Sequence, residues 1–194
     1  MNFGLYLANR TASSRRFLPH IKVFPSNSVL LGRGVYGKVW LIHDDRSGQD
    51  VAVKQISTIS EMGESLLGEL SMCNLALPNL VTLQDWGYDD HSHYFIMPVM
   101  KPLSKILRNE DCYTGIPLEV EEVLKLAVDL MRAVLALNSL NRCHRDIKSQ
   151  NVLYDTSSDS YYLGDFGMVN LPVSRFYLLC SQHLLPFVSG TRIC

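Results

Sequence analysis

The sequence predicts an α+β fold: a mainly antiparallel sheet carrying one helix, then a mainly helical region. Three observations predict it. Short apolar runs at 29–31, 38–43 and 51–56 are separated by a glycine-rich turn and a polar turn. Met62, Leu66, Leu70 and Cys73 then recur at helical intervals. Beyond Pro102 the strand-like runs give way to a long segment with helical period. Short apolar-rich runs bounded by turn residues read as strands, whereas a three-to-four-residue spacing reads as helix.

Each element follows in order. Residues 29–31 and 38–43 form strands flanking Gly32, Gly34 and Gly37. The turn at 44–49, with Arg46-Ser47-Gly48, joins the second strand to 51–56 as an antiparallel hairpin. Thr58-Ile59-Ser60-Glu61 has capping-box spacing and starts a helix. Gly63 and Gly68 each weaken that helix by about 1 kcal/mol relative to alanine. Runs at 80–83 and 93–99 read as two further strands, with Asp89-Asp90 between them. Pro117 stands at a first helical position, and Glu119, Glu121 and Glu122 complement the positive end of the dipole. Val123, Leu126, Ala127, Leu130, Met131, Val134 and Leu137 form the apolar stripe of a helix reaching about Leu140. Short strands at 151–154 and 161–163 punctuate a loop-like remainder. Residues 1–27, ending in Pro25-Ser26-Asn27, read as a weakly ordered leader.

With 194 residues, 47% of them hydrophobic and 19% charged, the chain can bury a real core, and an extended disordered chain is excluded. Lys and Arg number 18 against 19 acids, a net charge of −1, so no nucleic-acid partner is expected. Five cysteines at irregular spacing include no CxxC pair, which fits thiols in a reducing compartment and argues against a zinc site. No run approaches the ~18 apolar residues of a membrane span. Arg15 and Arg16 follow the apolar start, the wrong order for a secretory signal. The expected location is intracellular, cytoplasmic or nuclear, with no membrane partner.

Four segments carry chemistry. Gly32-Arg33-Gly34-Val35-Tyr36-Gly37-Lys38-Val39 is a GxGxxGxV loop whose backbone N–H groups can close over phosphate. A dinucleotide fingerprint would open a helix; this loop is followed by a strand, so a flap over phosphates fits better. Val51-Ala52-Val53-Lys54 places a lysine in an apolar strand. Lysine is rarely buried unpaired, so Lys54 reads either as a solvated strand end or as a phosphate grip oriented by a carboxylate, Glu69 first and Glu64 as the alternative. In His144-Arg145-Asp146-Ile147-Lys148-Ser149-Gln150-Asn151, Asp146 can accept a hydroxyl proton or aim the hydroxyl at phosphorus. Lys148 can neutralise a transferred phosphoryl group, and the Asn151 amide oxygen can bind a metal. Asp165-Phe166-Gly167 offers a carboxylate for a divalent ion, an aromatic that packs inward and a flexible glycine.

In this order the four segments resemble the eukaryotic protein kinase signature set. The likeness runs over roughly 29–191, with Val53 and Ile147 as the departures inside the motifs. The resemblance implies a five-stranded antiparallel N-lobe with one αC helix at about 28–100 and a partial, mainly helical C-lobe at about 101–194. It implies ATP and Mg²⁺ as cofactors. Gly32, Gly34 and Gly37 would cover the phosphates, with Val39 and Ala52 against adenine. Lys54 would pair with Glu69, Met97 would be the gatekeeper, and the Pro98 carbonyl and Met100 N–H would bond adenine. Cys73, Leu83, His144 and Phe166 match the hydrophobic spine. Asp146 would be catalytic, with Asn151 and Asp165 on the metal. Lys148 resembles the serine/threonine kinases, so the implied partner is a protein substrate. Ser174, Tyr177, Ser181 and Ser189 are candidate modification sites.

The resemblance also carries departures. Residues 176–188 are unusually apolar for an activation segment, and Cys194 falls where the family's lower C-lobe would begin. An alternative expectation is therefore a catalytically impaired fragment that binds nucleotide or regulates a kinase. Its partner, a kinase or regulatory protein, would cover the missing C-lobe surface.

Overall fold

The computed structural model describes residues 28–34, 37–45, 47–57, 63–89, 91–107 and 118–170. The leader, the capping box at 58–61, Pro117 and the four candidate modification sites lie outside these residues. Strands β1 (Ser28–Gly34), β2 (Gly37–Asp44) and β3 (Gln49–Ser57) are followed by helix α1 (Gly63–Met72), β4 (Asp85–Tyr88) and β5 (Ser92–Met97). Then come β6 (Lys101–Pro102), α2 (Leu103–Ile106), α3 (Val120–Ser139), β7 (Val152–Asp155), β8 (Ser160–Leu163) and a 3-10 turn at Phe166–Met168. The first five strands make one antiparallel sheet in the order β1-β2-β3-β5-β4, and β6-β7-β8 form a second. This is the protein-kinase-like architecture that the sequence implies.

The pleat of β3 divides the larger sheet into two faces, because alternate residues point to opposite sides. Val51 and Val53 pack with Ile42 and Ile96 on one face. Ala52 and Ile56 join Phe95 and Met97 in the main core on the other. Lys54 shares the parity of Ala52 and Ile56, so the strand aims its ammonium at α1. The predicted hairpin is present, closed by the Gly48 N–H donating to the Asp44 carbonyl at 2.8 Å. At the start of β2, Gly37 has φ +146°, and a Cβ there would collide with the Gln55 carbonyl oxygen of β3.

Two expectations are corrected. Residues 80–83 are not a strand of the sheet. Leu80, Val81 and Leu83 are buried, but their backbone groups go to separate neighbours. The Val81 N–H donates to Leu163 O (3.0 Å), and Leu83 O accepts from the Asn74 N–H (2.8 Å). The segment thus links β8 to the chain leaving α1, and the edge strand lies at Asp85–Tyr88 instead.

The α3 stripe is also rotated. Leu126, Leu130 and Leu137 face inward with Ala133 and Ala136, whereas Val123, Ala127, Met131 and Val134 are exposed. Leu124, Val128 and Leu135 are exposed as well, so α3 is apolar on nearly every side and the periodicity alone could not choose a face. Asp129 settles the choice, because its buried carboxylate accepts the Tyr161 N–H of β8 at 2.9 Å.

Candidate active site

The chemistry-bearing segments converge where α1, the 142–151 loop and the Phe166–Met168 turn meet beneath β3. Lys54 Nζ forms an ion pair with Glu69 of α1 and a second with Asp165 Oδ1 at 2.7 Å. Lys54 and Glu69 are 6% and 1% exposed, so the pair is buried and Glu69 is an acidic partner of Lys54. Burial alone would push the Lys54 ammonium toward neutrality. The Glu69 and Asp165 charges outweigh that and hold its pKa above the usual lysine value. Burial raises the Glu69 carboxyl, with the Lys54 charge opposing. Burial also works against Asp165, yet Lys54 and the Gly167 N–H win and keep it below the ordinary aspartate value. Lys54 therefore stays cationic and Asp165 anionic at neutral pH.

Asp146 sits on the neighbouring loop. Its Oδ2 accepts from Lys148 Nζ (2.7 Å) and from Asn151 Nδ2 (3.0 Å), and Asn151 Nδ2 also donates to the Asp146 carbonyl (2.9 Å). With its NH₂ group committed to Asp146, Asn151 keeps its amide oxygen as a hard-cation ligand. The Gly164 N–H donates to the Asn151 carbonyl at 2.9 Å, which ties Asn151 to the residue before Asp165. Asn151 and Asp165 thus offer oxygen donors of the kind magnesium takes. Among the described residues, no cluster of three or more His, Cys, Asp or Glu could hold a metal.

His144 fixes the loop from within. Its Nε2–H donates to the Gly164 carbonyl (2.9 Å), and its Nδ1 accepts the Asp146 N–H (3.4 Å). Its ring meets Phe166 edge-on, with centroids 6.0 Å apart. Cys73, Leu83 and Phe166 lie in one core, and the Cys73 thiol donates to the Leu83 carbonyl at 3.6 Å. Arg145 and Asp165 hold left-handed backbones, φ 66° and 62°, conformations rare outside glycine. Arg145 Nε donates to Met168 O at 2.6 Å, joining this loop to the 3-10 turn.

Of the other predicted residues, Gly32 and Gly34 lie on β1, where an added Cβ would meet nothing within 4 Å. Val39 and Ala52 line the sheet face that carries Lys54, and Ala52 pairs with Met97 across β3 and β5. Pro98 and Met100 follow directly on β5. Sequence reasoning missed how closely α1 approaches the Asp165–Gly167 segment. A Cβ on Gly68 would collide with the Phe166 carbonyl, and one on Gly167 would lie 2.5 Å from Ser65 Oγ.

Residues 26–177 match the protein kinase domain family, more than three-quarters of the chain. The chain belongs to this family. The mouse serine/threonine-protein kinase Nek5 is 25% identical to this kinase-family chain over 165 residues, 85% of this chain and 26% of Nek5. The Caenorhabditis elegans serine/threonine-protein kinase chk-2 is 28% identical over 173 residues, 82% of this chain and 36% of chk-2. The probable L-type lectin-domain containing receptor kinase S.7 of Arabidopsis thaliana reaches 32% over 171 residues, 84% of this chain and 24% of its own. This kinase domain therefore spans about a quarter to a third of these relatives. Among solved structures, Rad53 1-466 in complex with AMP-PNP superposes with a TM-score of 0.62 at 20% identity, covering 76% of this chain and 38% of that one. No helix among the described residues is long and apolar enough to cross a membrane.

Buried His144 and half-buried His93 should make the stability of the kinase domain depend on pH. Burial lowers His144, against the Gly164 hydrogen bond and the Asp165 and Asp146 charges, and burial lowers His93 against Asp89. Their folded pKa values lie below the ordinary 6.5. Between those values and 6.5 the unfolded chain binds more protons, so stability falls as pH drops below about 6.5. Thermal melts from pH 7.5 to 5.5 should show a falling Tm, with a shallower fall in His93→Phe. A flat profile would contradict neutral burial.

Proposed function

We propose that the chain binds Mg·ATP and transfers the γ-phosphate to a serine or threonine of a protein substrate. The observation that carries this reading is the simultaneous engagement of Lys54 by Glu69 and Asp165. Kinase catalysis needs both the lysine–glutamate pair and the metal-binding aspartate in place. Gly32 and Gly34 add support: protein packing does not demand glycine at either position, whereas close approach of phosphate does. Nucleotide binding also agrees with the AMP-PNP complex of the structurally similar Rad53.

In this mechanism Lys54 grips the α/β-phosphates, while Gly32, Gly34 and Gly37 cover the triphosphate. Val39, Ala52 and Met97 pack on adenine, with the Pro98 carbonyl and Met100 N–H as its hydrogen-bond partners. Asn151 and Asp165 would hold magnesium, which when bound would neutralise charge on the phosphate oxygens. Asp146 accepts the substrate hydroxyl proton as that oxygen bonds to phosphorus and the bond to ADP breaks. Lys148 neutralises the phosphoryl group in transit. Incubation with γ-labelled Mg·ATP and a basic Ser/Thr substrate should label the substrate. Asp146→Asn should lower the rate at least about a hundredfold, the range of general-base catalysis. Equal labelling by parent and variant would sink the assignment.

The exposed apolar face of α3 favours a second reading, an interaction module that binds a kinase or regulatory protein. Leu124, Met131 and Leu135 are each more than 60% exposed there. Under that reading Met131→Glu abolishes association and leaves nucleotide binding intact.

A further inference from the structure

Two residues before His144, Arg142 is 2% exposed and reaches across to the end of α1. Its Nη1 donates to the Ser71 carbonyl (3.0 Å) and Ser71 Oγ (3.0 Å), and lies 2.8 Å from the Met72 sulfur. Its backbone N–H donates to the Leu137 carbonyl (3.0 Å) near the end of α3. One residue thus joins α1, α3 and the loop that carries Asp146.

The chemistry of this junction is that of a helix C-terminus. The last carbonyls of a helix have no intrahelical donors, and the dipole there favours a cation. Helix α1 carries no basic residue in its own last turn. The Ser71 hydroxyl is turned inward, donating to Gly68 O at 2.7 Å, so its lone pairs remain for Arg142. An apolar side chain would fill this space without the cost of desolvating a guanidinium. What arginine adds is direction: donors aimed at fixed acceptors on another element.

We propose that Arg142 is a positioning residue, a C-terminal cation supplied to α1 by the catalytic loop, which sets Glu69 and Asp146 in a fixed relation. Glu69 lies two residues before Ser71, and Asp146 four residues after Arg142. Any slide of α1 that draws Glu69 from Lys54 must first break the Arg142 contacts. The functional half of this inference rests on the phosphoryl-transfer reading; the mechanical half does not.

The test compares the full chain with Arg142→Met, which keeps length and removes charge, Arg142→Lys and Ser71→Ala. Hydrogen exchange is read over α1, β2–β3 and α3, alongside kcat and KM for ATP. Arg142→Met should speed exchange in α1 by about ten- to a hundredfold, the worth of charge-assisted hydrogen bonds, with β2–β3 unchanged. Its kcat should fall by a similar factor, with Arg142→Lys recovering part of both losses. Exchange that rises uniformly along the chain, or an α1 at the parent rate, would overturn the proposal. Should Arg142→Met fail to fold, Ser71→Ala decides in the same way: selective loosening of α1 supports it and none overturns it. A parent with no transfer activity would defeat the phosphoryl-transfer reading, while the exchange pattern would still decide the α1 link.

Discussion

Gly68→Ala should destabilise the protein, although alanine is the better helix former. Propensity alone favours the variant by about 1 kcal/mol in a helix interior. Packing reverses the sign. The new methyl would collide with the Phe166 carbonyl oxygen and lie 3.2 Å from the Gly167 carbonyl carbon and oxygen. These are backbone atoms on a facing element, so no rotamer change relieves the overlap. Overpacking of this kind costs about 1–3 kcal/mol, and the backbone on both sides places this case near the upper end. The strain falls next to Glu69, so nucleotide affinity should weaken with stability. Urea unfolding should show a lower midpoint at an unchanged slope. An equal or higher midpoint would contradict the close packing of α1 on the 3-10 turn.

Lys54→Met should cost more. Removing one partner of a buried ion pair leaves an uncompensated charge, and such losses run at about 3–5 kcal/mol. Here the residue left behind is Glu69, fully enclosed, with Asp165 nearby. The double variant Lys54→Met, Glu69→Gln replaces that carboxylate with a neutral amide and should recover much of the stability. If Lys54 grips phosphate as proposed, nucleotide binding should stay lost in both. Paired denaturation and binding measurements separate the two effects. A double variant no more stable than Lys54→Met would show that charge burial is not the source of the loss.

Much of this site was legible because its chemistry is local in sequence. The glycine loop, the lysine within an apolar strand and the Asp146–Asn151 spacing each announce themselves within eight residues. The partner of Lys54 was narrowed to two glutamates, and the geometry of α1 chose Glu69. Other features depend on tertiary placement. Strand β4, Asp-Trp-Gly-Tyr, lacks an apolar run, and its one local signal is the alternation of Trp86 and Tyr88, which stack at 6.0 Å. Gly68 reads as a helix defect until the facing Phe166 carbonyl is known. Nothing in the segment around Arg142 reveals the α1 carbonyl it meets 71 residues away.

Binding of Mg·ATP to the purified chain, read as a thermal shift with and without magnesium, tests the central claim most directly because it requires no knowledge of the substrate. Nucleotide at a hundred times its dissociation constant stabilises by about 2.7 kcal/mol, so the parent should melt roughly 5–10 °C higher with ATP and magnesium together. Asp165→Asn should lose most of that shift. A parent whose melting curve does not move at saturating Mg·ATP would contradict the assignment of Lys54, Asn151 and Asp165 as a nucleotide–metal site.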